Sequence, residues 1–392
     1  MALQIPAVQQ ALKEEGLDGW LLYDFHGSNP IARRLAGLDA QGKMATRRWY
    51  YLIPADGEPR KLVHAIESFN LDHLPGTKTI YSQRESLASG LKSILDGAHR
   101  VAMEYSPGNA IPYVSRVDAG TVEAVRAAGA AVASSGDLIQ RFEAVWSADA
   151  LQTHRDAADI LYRTKDRAFA MIREARAAGR VVTEVDVQEA MLRWFDEEGL
   201  VTDAPPNVSV QENAGNPHYM PDRSHDRRVG DNQVVLLDLW GKLPKPGAVF
   251  ADITWVGFTG SSVPDRYLKA FNAARDGRDA AVALVTRATA EGRELRGFEV
   301  DRACRAVLER VGFGASFIHR TGHSLGTEVH GNGVHMDDFE THDERRLIPG
   351  TGFTIEPGVY TPEFGVRTEI NMFIGEREAF VTGPMQTEFV LL

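Results

Sequence analysis

Hydrophobic and polar positions alternate between two periods along residues 1–146, and this alternation predicts an α/β domain. Helical spacing occurs in LQIPAVQQALKEEG and GTVEAVRAAG, whereas DGWLLYDF, RVAMEYS and AAVASS have the apolar runs of strands. Alternating helices and strands are typical of α/β folds. This part of the sequence has no glycine-rich phosphate loop and no cluster of histidines with carboxylates. We therefore assign it no chemistry.

Longer helical patterns begin near Ser147 and mark a second domain. Ser147 can cap a helix that runs towards Ala178, and Thr183 forms a capping box with Asp186 for the next helix. Apolar residues of that next helix recur at i, i+3, i+4, i+7 and i+8, at Val187, Ala190, Met191, Trp194 and Phe195. The change of pattern predicts two domains, at residues 1–146 and 147–392.

An internal repeat organises the second domain. The stretch EVDVQEAMLRWFDEEG at 184–199 resembles EVDRACRAVLERVG at 299–312, and the later copy keeps the same apolar spacing around Cys304. In each copy a long helix precedes this stretch and strands follow it. Two copies of helix, helix, strand, strand predict a pseudo-symmetric α+β domain with a site between the copies. Cys304, the only cysteine, is expected in the core.

Two apolar hairpins, one in each copy, carry two carboxylates each. VVLLDLW (234–240) and AVFADITWVGF (248–258) flank the turn KLPKPG, and centring that hairpin on Lys245 places Asp238 directly across from Asp252. TGFTIEP and GVRTEINMFI flank a turn around Pro362, which places Glu356 opposite Glu369. A single acidic residue in a strand usually faces water. The apolar run before Asp238 instead predicts a strand that is buried on both faces.

Four buried carboxylates that converge on one point would repel one another and would each lose their hydration. Both effects cost several kcal/mol or more unless a cation lies between the carboxylates. A histidine-rich segment, HRTGHSLGTEVHGNGVHMDDFETH (319–342), lies between the two hairpins. It holds five of the twelve histidines of the chain: His319, His323, His330, His335 and His342. Together, the hairpins and this segment predict a metal site.

The same segment also allows a competing hypothesis. Gly322-His323-Ser324-Leu325-Gly326 matches the G-x-S-x-G nucleophile elbow, which needs a strand before the serine and a helix after it. GASFIHRT could form that strand, but TEVHGNGVH has glycines and β-branched residues where the helix should begin. Few residues then remain for the rest of such a fold. A serine hydrolase that uses Ser324 stays as an alternative to the metal site.

Composition narrows the classes of protein that fit. The formal net charge of −11 argues against nucleic acid or an anionic membrane as a partner. One cysteine allows no intramolecular disulfide, the N-terminus lacks the pattern of a signal peptide, and no apolar run approaches the ~20 residues that span a bilayer. We therefore expect a cytoplasmic protein without membrane or nucleic-acid partners.

The order Asp, Asp, His, Glu, Glu resembles the creatinase/aminopeptidase P/prolidase branch of the pita-bread metallopeptidases. The motifs that carry this resemblance are GHSLGTEVH around His323, FTIEPGVY around Glu356 and GVRTEINM around Glu369, together with ENAGNPHYMP and NGVHMDDFETHDERRLIPG. The resemblance runs from about residue 150 to the C-terminus. It implies an α/β N-terminal domain, matched only in size and character, followed by a pita-bread catalytic domain of α+β type.

The resemblance also implies a ligand set for two divalent metal ions. By position, His323 and Glu356 would complete one metal site and Asp238 the other, while Asp252 and Glu369 would bridge both. Four carboxylates and one imidazole form a hard, oxygen-rich site that suits manganese, with cobalt or zinc as alternatives. Two metals in such a site can activate water for attack on a carbonyl group.

Hydrolysis of the peptide bond before proline is the activity that the resemblance implies. Glu356 would handle the proton, His330 would stabilise the tetrahedral oxyanion, His218 would position the proline side, and Arg367 would contact substrate or the developing charge. The segment PDRSHDRRV after His218 could hold a free carboxylate, which favours an Xaa-Pro dipeptidase over an Xaa-Pro aminopeptidase. The expected partners are small peptides and a second copy of the chain in a homodimer.

Three features depart from the pattern of that branch. Asp238 and Asp252 lie 14 positions apart, about three more than is usual in the family. Trp255 follows Asp252-Ile253-Thr254 where arginine is common, and Gly331 follows His330 where glutamate is common. None of these changes removes a proposed ligand, but they bear on specificity and on the packing around Asp252.

Overall fold

The structure, a computed structural model, describes residues 3–38 and 45–392. The chain divides into two units, Met1–Glu143 and Ala144–Leu392. This division falls three residues before the boundary that the sequence predicts.

The N-terminal unit contains a six-stranded mixed sheet. Its strands are Gly19–Asp24 (β1), Trp49–Pro54 (β2), Arg60–His64 (β3), Thr77–Tyr81 (β4), Arg100–Met103 (β5) and Ala131–Ser134 (β6), in the order β4-β3-β2-β1-β5-β6. Its α-helices are Ile5–Glu14 (α1), Pro30–Leu35 (α2), Arg84–Ile94 (α3), Ala119–Ala127 (α4) and Gly136–Ile139 (α5). The α/β prediction is confirmed, although the sequence reading identified only α1, α4, β1, β5 and β6.

Strand β1 shows why the strands of this sheet have continuous apolar runs in their sequences. Trp20 and Leu22 belong to one apolar cluster, whereas Leu21 and Tyr23 belong to another on the opposite face. A strand with apolar packing on both faces needs no polar alternation.

Four long helices dominate the C-terminal unit: Ala148–Ala177 (α6), Glu184–Glu198 (α7), Asp265–Glu291 (α8) and Gly297–Arg310 (α9). The predicted caps are confirmed. Ser147 Oγ accepts from the Ala150 N–H at 3.1 Å, and Thr183 and Asp186 form the reciprocal capping box. Over residues 3–38 and 45–392, no helix is both long enough and apolar enough to cross a membrane.

Ten short strands complete this unit: Asn207–Val210 (β7), Val234–Gly241 (β8), Ala251–Phe258 (β9), Ser324–Leu325 (β10), Gly352–Ile355 (β11), Gly358–Tyr360 (β12), Gly365–Arg367 (β13), Ile370–Ile374 (β14), Ala379–Val381 (β15) and Val390–Leu391 (β16). They form sheets in the orders β16-β9-β8-β7, β10-β11-β14-β15 and β12-β13. In the described residues, α6 packs on α7 and α8 on α9, and each pair precedes a hairpin, as the repeat predicts. Cys304 is buried in the core, also as predicted, and burial raises the pKa of its thiol to about 12.

The predicted register of the first hairpin is wrong by two residues. Asp238 pairs with Thr254, and Asp252 pairs with Trp240, so the hairpin is centred on Pro246 rather than Lys245. The ladder ends at Gly241 and Ala251, and the turn is longer than expected because the Phe250 N–H donates to the Gly326 carbonyl at 2.9 Å rather than to β8. A shift of two positions keeps each side chain on its face. Asp238 and Asp252 therefore share a face, but as diagonal neighbours.

The predicted register of the second hairpin is confirmed, with an interruption. Ile355 pairs with Ile370 and Gly358 pairs with Arg367, so Glu356 and Glu369 fall opposite one another. The ladder breaks at these two glutamates because their backbone N–H groups donate elsewhere. Glu356 N–H donates to the Thr321 carbonyl at 2.7 Å, and Glu369 N–H donates to the Thr254 carbonyl at 3.1 Å.

Candidate metal centre

One face of the β8–β9 hairpin changes from apolar to acidic along its length. Leu236 on β8 and Val256 on β9 point into the main core of the unit. Side chains two residues apart share a face. The same face therefore continues to Asp238 on β8 and to Thr254 and Asp252 on β9. Burial of the apolar end fixes the strands, and the strands then hold the acidic end in place.

The second hairpin is built in the same way. Phe353 and Ile355 on β11 join the core, so Thr354 and Glu356 lie on the other face. Thr354 pairs with Asn371 on β14, which places both of these side chains next to the two opposed glutamates. Each hairpin therefore presents two carboxylates and at least one neutral hydrogen-bonding side chain.

Asn371 and Thr254 link the two hairpins. The Asp252 N–H donates to Asn371 Oδ1 at 3.0 Å, and Asn371 Nδ2 donates back to the Asp252 carbonyl. The Thr254 hydroxyl donates to Glu369 Oε2 at 2.6 Å. These bonds bring carboxylates from the two copies of the repeat to one point, as the duplication predicts.

His323 enters from the segment between the hairpins. Its backbone N–H donates to Thr354 Oγ1 at 2.9 Å, and its Nδ1 lies 3.2 Å from the Ser324 carbonyl. A carbonyl oxygen only accepts, so Nδ1 must carry the proton and Nε2 the lone pair. That Nε2 lies 3.5 Å from Asp252 Oδ2 and 3.5 Å from Glu356 Oε1. A lone pair that faces two carboxylates is unfavourable unless a cation is also present.

Three of the five predicted ligands form a compact buried group. One ligand atom from each of Asp252, His323 and Glu369 lies within 4.8 Å of the other two. Glu356 joins them through its contact with His323. Asp238 is connected more loosely, because the Thr254 hydroxyl lies 3.3 Å from its Oδ1.

Arg367 supplies the positive charge nearest to these carboxylates. Its guanidinium donates to the Asp238 carboxylate, to Thr254 Oγ1 at 2.9 Å and to the Tyr360 hydroxyl at 3.1 Å. Burial raises the pKa of Tyr360 to about 12. The Tyr360 hydroxyl therefore stays protonated, and it lies 2.8 Å from His319 Nε2. The predicted substrate-contacting arginine thus lies directly beside a predicted ligand.

The electrostatics of the carboxylates favour a bound cation. Burial, followed by the Asp238 and Glu356 charges, raises the pKa of Asp252 well above its usual range. Burial, followed by the Asp252 and Glu356 charges, does the same to the pKa of Glu369. Among the described residues, Asp252 Oδ1 is buried without a hydrogen-bond partner. A divalent cation would relieve the repulsion and satisfy this oxygen.

Of the remaining predicted residues, His330 is near the group and His218 is exposed. The His330 ring lies 4.4 Å from the His323 ring, edge to face. The His323 charge and then burial lower the pKa of His330 to about 3, and burial lowers the pKa of His323 to about 4. Both rings are therefore neutral at pH 7. The His218 backbone N–H donates to Asn216 Oδ1 at 3.0 Å, in the segment before β8.

The other three histidines of the 319–342 segment make hydrogen bonds away from the carboxylate group. His319 contacts Tyr360, the His335 Nδ1 accepts from the Ser324 N–H at 3.1 Å, and His342 pairs with Asp338. The histidine cluster therefore divides into two residues at the candidate site and three with structural contacts. The sequence could not separate the two sets because all five lie among similar turn residues.

Ser324 does not occupy a nucleophile elbow. It begins a strand of two residues, and no helix follows it within the described residues 326–342. Residues 317–321, where the elbow would need its strand, are not extended into one. The Ser324 hydroxyl is buried and accepts from the Gly333 N–H at 3.0 Å. These contacts contradict the serine-hydrolase alternative.

Three neutral residues of the site were missed from the sequence: Thr254, Thr354 and Asn371. Each lies two positions from a predicted ligand, at Asp252-x-Thr254, Thr354-x-Glu356 and Glu369-x-Asn371. Since positions i and i+2 share a face of a strand, this spacing was an available signal. It would have identified the side chains that orient the carboxylates.

Comparison with known proteins agrees with this geometry. Residues 152–376, more than half of the chain, match the model of metallopeptidase family M24. An Xaa-Pro dipeptidase of Lactobacillus helveticus is 30% identical over 203 residues, which are 51% of this chain and 49% of that protein. The chain spans about half the length of the first curated relatives that it matches.

Solved structures show the same fold over nearly the whole chain. Dipeptidase PepE from Mycobacterium ulcerans is 21% identical with a TM-score of 0.69, covering 99% of this chain and 96% of that one. An X-prolyl aminopeptidase from Caenorhabditis elegans, described as a cytosolic enzyme with a di-nuclear active site, is 17% identical with a TM-score of 0.65, covering 98% and 62%. The predicted pita-bread fold with its N-terminal α/β domain is confirmed, and the chain belongs to metallopeptidase family M24.

Proposed function

We propose that this peptidase uses two divalent metal ions to hydrolyse the peptide bond before proline, as an Xaa-Pro dipeptidase. The observation that carries the proposal is the buried group of Asp252, His323 and Glu369, drawn from both copies of the repeat. An Xaa-Pro aminopeptidase is the alternative. The named relatives and structural neighbours include both activities, so they support the class of reaction and leave the length of the peptide open.

Five residues of the chain would hold the metals. Asp252 and Glu369 are the most buried carboxylates of the group and face the others, which supports a role for both in bridging two ions. His323 and Glu356 touch one another and would complete one site. Asp238 would complete the other. Its carboxylate would then be shared with Arg367, whose charge offsets part of the excess of carboxylates. Oxygen-rich ligation of this kind suits manganese, with cobalt or zinc as alternatives.

The bound metals would polarise the substrate carbonyl and lower the pKa of water. The chain's own residues would do the rest. Glu356, which is less buried than its neighbours, would take up and return the proton. His330 is neutral at pH 7, so its N–H would donate to the oxyanion without adding a charge. His218 is exposed on the preceding segment and would contact the proline side. Arg367 would hold Asp238 in place and face the developing negative charge.

The arginines after His218 differ in how far they are already engaged. Arg223 pairs with Glu189 at 2.7 Å and with Asp186 at 3.2 Å, and Arg227 pairs with Glu212. Arg228 is exposed and has no ion pair among the described residues. Of the three, Arg228 is therefore the one we propose as a partner for the free carboxylate of a dipeptide.

Activity on defined peptides tests the proposal. Chelation should abolish hydrolysis of Ala-Pro and Gly-Pro, and Mn²⁺ or Co²⁺ should restore it. Ala-Pro should be cleaved faster than Ala-Pro-Ala. The Ser324→Ala variant is the matched control, because a serine hydrolase would lose its activity whereas this enzyme should keep most of it. Full activity in a sample that elemental analysis shows to be metal-free would overturn the proposal. Equal rates on both lengths of peptide would replace the dipeptidase with the aminopeptidase.

Two further properties stay predictions. A homodimer would show as twice the mass of the chain in light scattering of the purified protein. A cytoplasmic location would show in fractionation of the source cells.

A further inference from the structure

A carboxylate outside the predicted set lies beside the candidate metal centre. Trp240 on β8 pairs with Asp252 on β9, so the two side chains share a face of the hairpin. The indole Nε1–H of Trp240 donates to Asp203 Oδ1 at 2.6 Å. Asp203 belongs to the segment between α7 and β7, and its side chain is exposed. One hydrogen bond therefore fixes an exposed carboxylate next to a buried one.

The charge of Asp203 affects the pKa values of two residues at the candidate metal centre. Burial is the main cause of the raised pKa of Asp252, and the Asp203 charge adds to it. The His323 charge is the main cause of the low pKa of His330, and the Asp203 charge opposes that shift. Asp203 thus lies close enough to influence both Asp252 and His330.

Asp203 has no cationic partner in the part of the chain that the structure describes. Among the described residues, no lysine, arginine or histidine forms an ion pair with it. Lys242, two positions beyond Trp240, donates its Nζ to the Thr327 carbonyl at 2.5 Å and lies 4.9 Å from the centre of the Phe250 ring. Lys242, just beyond the end of β8, is therefore engaged elsewhere.

Trp240 holds the carboxylate firmly because the indole is itself anchored. It packs against the apolar cluster that contains Trp146, Phe250 and Leu325. Its N–H donates to Oδ1 of an exposed side chain, so Oδ2 can accept from a ligand. A cation that binds a fixed carboxylate beside an indole gains a charge-assisted hydrogen bond and can also contact the aromatic ring.

We propose that Asp203, positioned by Trp240, binds a cationic group on the substrate residue that precedes the scissile bond. This inference rests on the proposed function. The group is either the α-ammonium of that residue or the side chain of a lysine or arginine at that position. Both are amino or guanidinium cations, and matched substrates distinguish them.

Four substrates separate the two sources of the cation. Lys-Pro and norleucyl-Pro have side chains of similar length and differ in the terminal charge. Ala-Pro and propionyl-Pro differ in the α-amino group. The Asp203→Asn variant removes the charge of Asp203 and keeps an oxygen that can accept from Trp240. Asp196→Asn is the matched control, because Asp196 is an exposed aspartate near the end of α7.

The expected result is a selective loss in Asp203→Asn. If the side chain is the ligand, kcat/KM should fall about tenfold for Lys-Pro, mainly through KM, with norleucyl-Pro unchanged. If the α-ammonium is the ligand, Lys-Pro, norleucyl-Pro and Ala-Pro should all fall by a similar factor, with propionyl-Pro unchanged. Asp196→Asn should leave kcat/KM unchanged for all four substrates. Trp240→Phe, which keeps an aromatic ring and removes the donor, should give a smaller loss with the same selectivity.

Two outcomes would overturn the inference, and they are distinguishable from failure of the proposed function. An equal loss on all four substrates would mean that Asp203 acts only through its field on the site. No loss on any of them would mean that Asp203 is an ordinary surface carboxylate. In both cases the wild-type enzyme is active on Xaa-Pro. A metal-loaded wild-type enzyme that cleaves no Xaa-Pro substrate would instead remove the proposed function, and the inference with it.

Discussion

Glu104 in the N-terminal unit and Asp252 in the C-terminal unit are both buried carboxylates, and their surroundings differ in kind. Glu104 accepts from Trp20 Nε1 at 2.8 Å, Asn29 Nδ2 at 2.7 Å and Ser135 Oγ at 3.1 Å. All three partners are neutral donors, and both of its oxygens are satisfied. Asp252 has one buried oxygen without a partner among the described residues. Its strongest charged neighbours, Asp238 and Glu356, are themselves carboxylates.

This difference separates a structural carboxylate from a candidate ligand. Burial alone raises the pKa of Glu104 to about 7, although its three hydrogen bonds act against the shift. For Asp252, like charges add to burial in raising the pKa well above its usual range. Burial of an acidic residue is therefore a weak indication of a site. Burial together with like-charged neighbours and an unsatisfied oxygen is a strong one, and it occurs in the unit that matches the peptidase family.

The largest effect is expected for Asp252→Asn. If Asp252 bridges two metals, kcat/KM for Ala-Pro should fall on the order of a thousandfold, because several kcal/mol of transition-state stabilisation depend on the metals. The metal-free variant should nevertheless be no less stable than the metal-free wild type, because one of the repelling carboxylates is gone. Activity assays and thermal unfolding after chelation measure the two quantities.

Metal content provides the control for this prediction. Asp238→Asn should empty mainly one site, whereas Asp252→Asn and Glu369→Gln should reduce the metals per chain furthest. Elemental analysis of the purified variants measures this order. Two metals per chain in every variant would contradict the bridging roles. A marked loss of stability in the metal-free Asp252→Asn variant would contradict the view that Asp252, unlike Glu104, is destabilised by its neighbours when no metal is bound.

A smaller effect is expected from the pH dependence of Glu104. Its pKa is about 7 in the folded chain, against a usual value of 4.5, so the folded state binds the proton more tightly. The stabilisation from this proton is complete below pH 4.5 and is lost as the pH rises through 7. Relative to Glu104→Gln, the wild type should therefore be more stable at pH 5 than at pH 8, by about 2–3 kcal/mol. Urea unfolding at the two pH values measures the difference.

Glu123→Gln is the matched control for the pH experiment. Glu123 is exposed on α4 in the same unit, so its replacement should leave the pH dependence of unfolding unchanged. An equal dependence in wild type and Glu104→Gln would show that Glu104 stays ionised in the folded chain. The three donors would then outweigh burial. Ala-Pro hydrolysis per folded molecule should be unaffected in both variants.

The parts of the fold that were predictable from the sequence depend on local interactions. Ser147 and Thr183 cap helices through hydrogen bonds within three residues, so the sequence alone contains both partners. The strand faces were also predictable, because alternation along a strand has a fixed period of two. The placement of Asp238 and Asp252 on one face survived the wrong register for this reason.

The parts that were not predictable depend on distant partners. The β8–β9 turn is longer because the Phe250 N–H donates to the carbonyl of Gly326, which is distant in the chain, and no property of the turn itself signals this. The ion pair of Arg367 with Asp238 and the bonds from Asn371 to Asp252 likewise join separate elements. The sequence motifs predicted which residues belong to the candidate site. Their hydrogen bonds and charge pairs required the fold.

The smallest effect is expected from the exposed charges after His218, and it distinguishes the two peptidase activities. Arg223 already pairs with Glu189 and Asp186, so Arg223→Ala should change the ratio of Ala-Pro to Ala-Pro-Ala hydrolysis less than about twofold. Arg228 has no such pair with any described residue, and Arg228→Ala should lower that ratio about tenfold, the value of one charge-assisted hydrogen bond to the dipeptide carboxylate.

The two arginine variants are matched in charge, residue type and exposure, so a difference between them reports on position alone. Amidation of the dipeptide should reduce hydrolysis by the wild type and have little further effect on Arg228→Ala, since both changes remove the same contact. If Arg223→Ala instead lowers the ratio of Ala-Pro to Ala-Pro-Ala hydrolysis, the surface ion pairs of Arg223 must open when substrate binds. Exposed ion pairs are weak enough to allow this, because each contributes only about 0.2–1 kcal/mol.

If neither variant changes the ratio, and amidated dipeptides are cleaved as well as free ones, no residue of this segment selects for a terminal carboxylate. The aminopeptidase then becomes the better description of the enzyme.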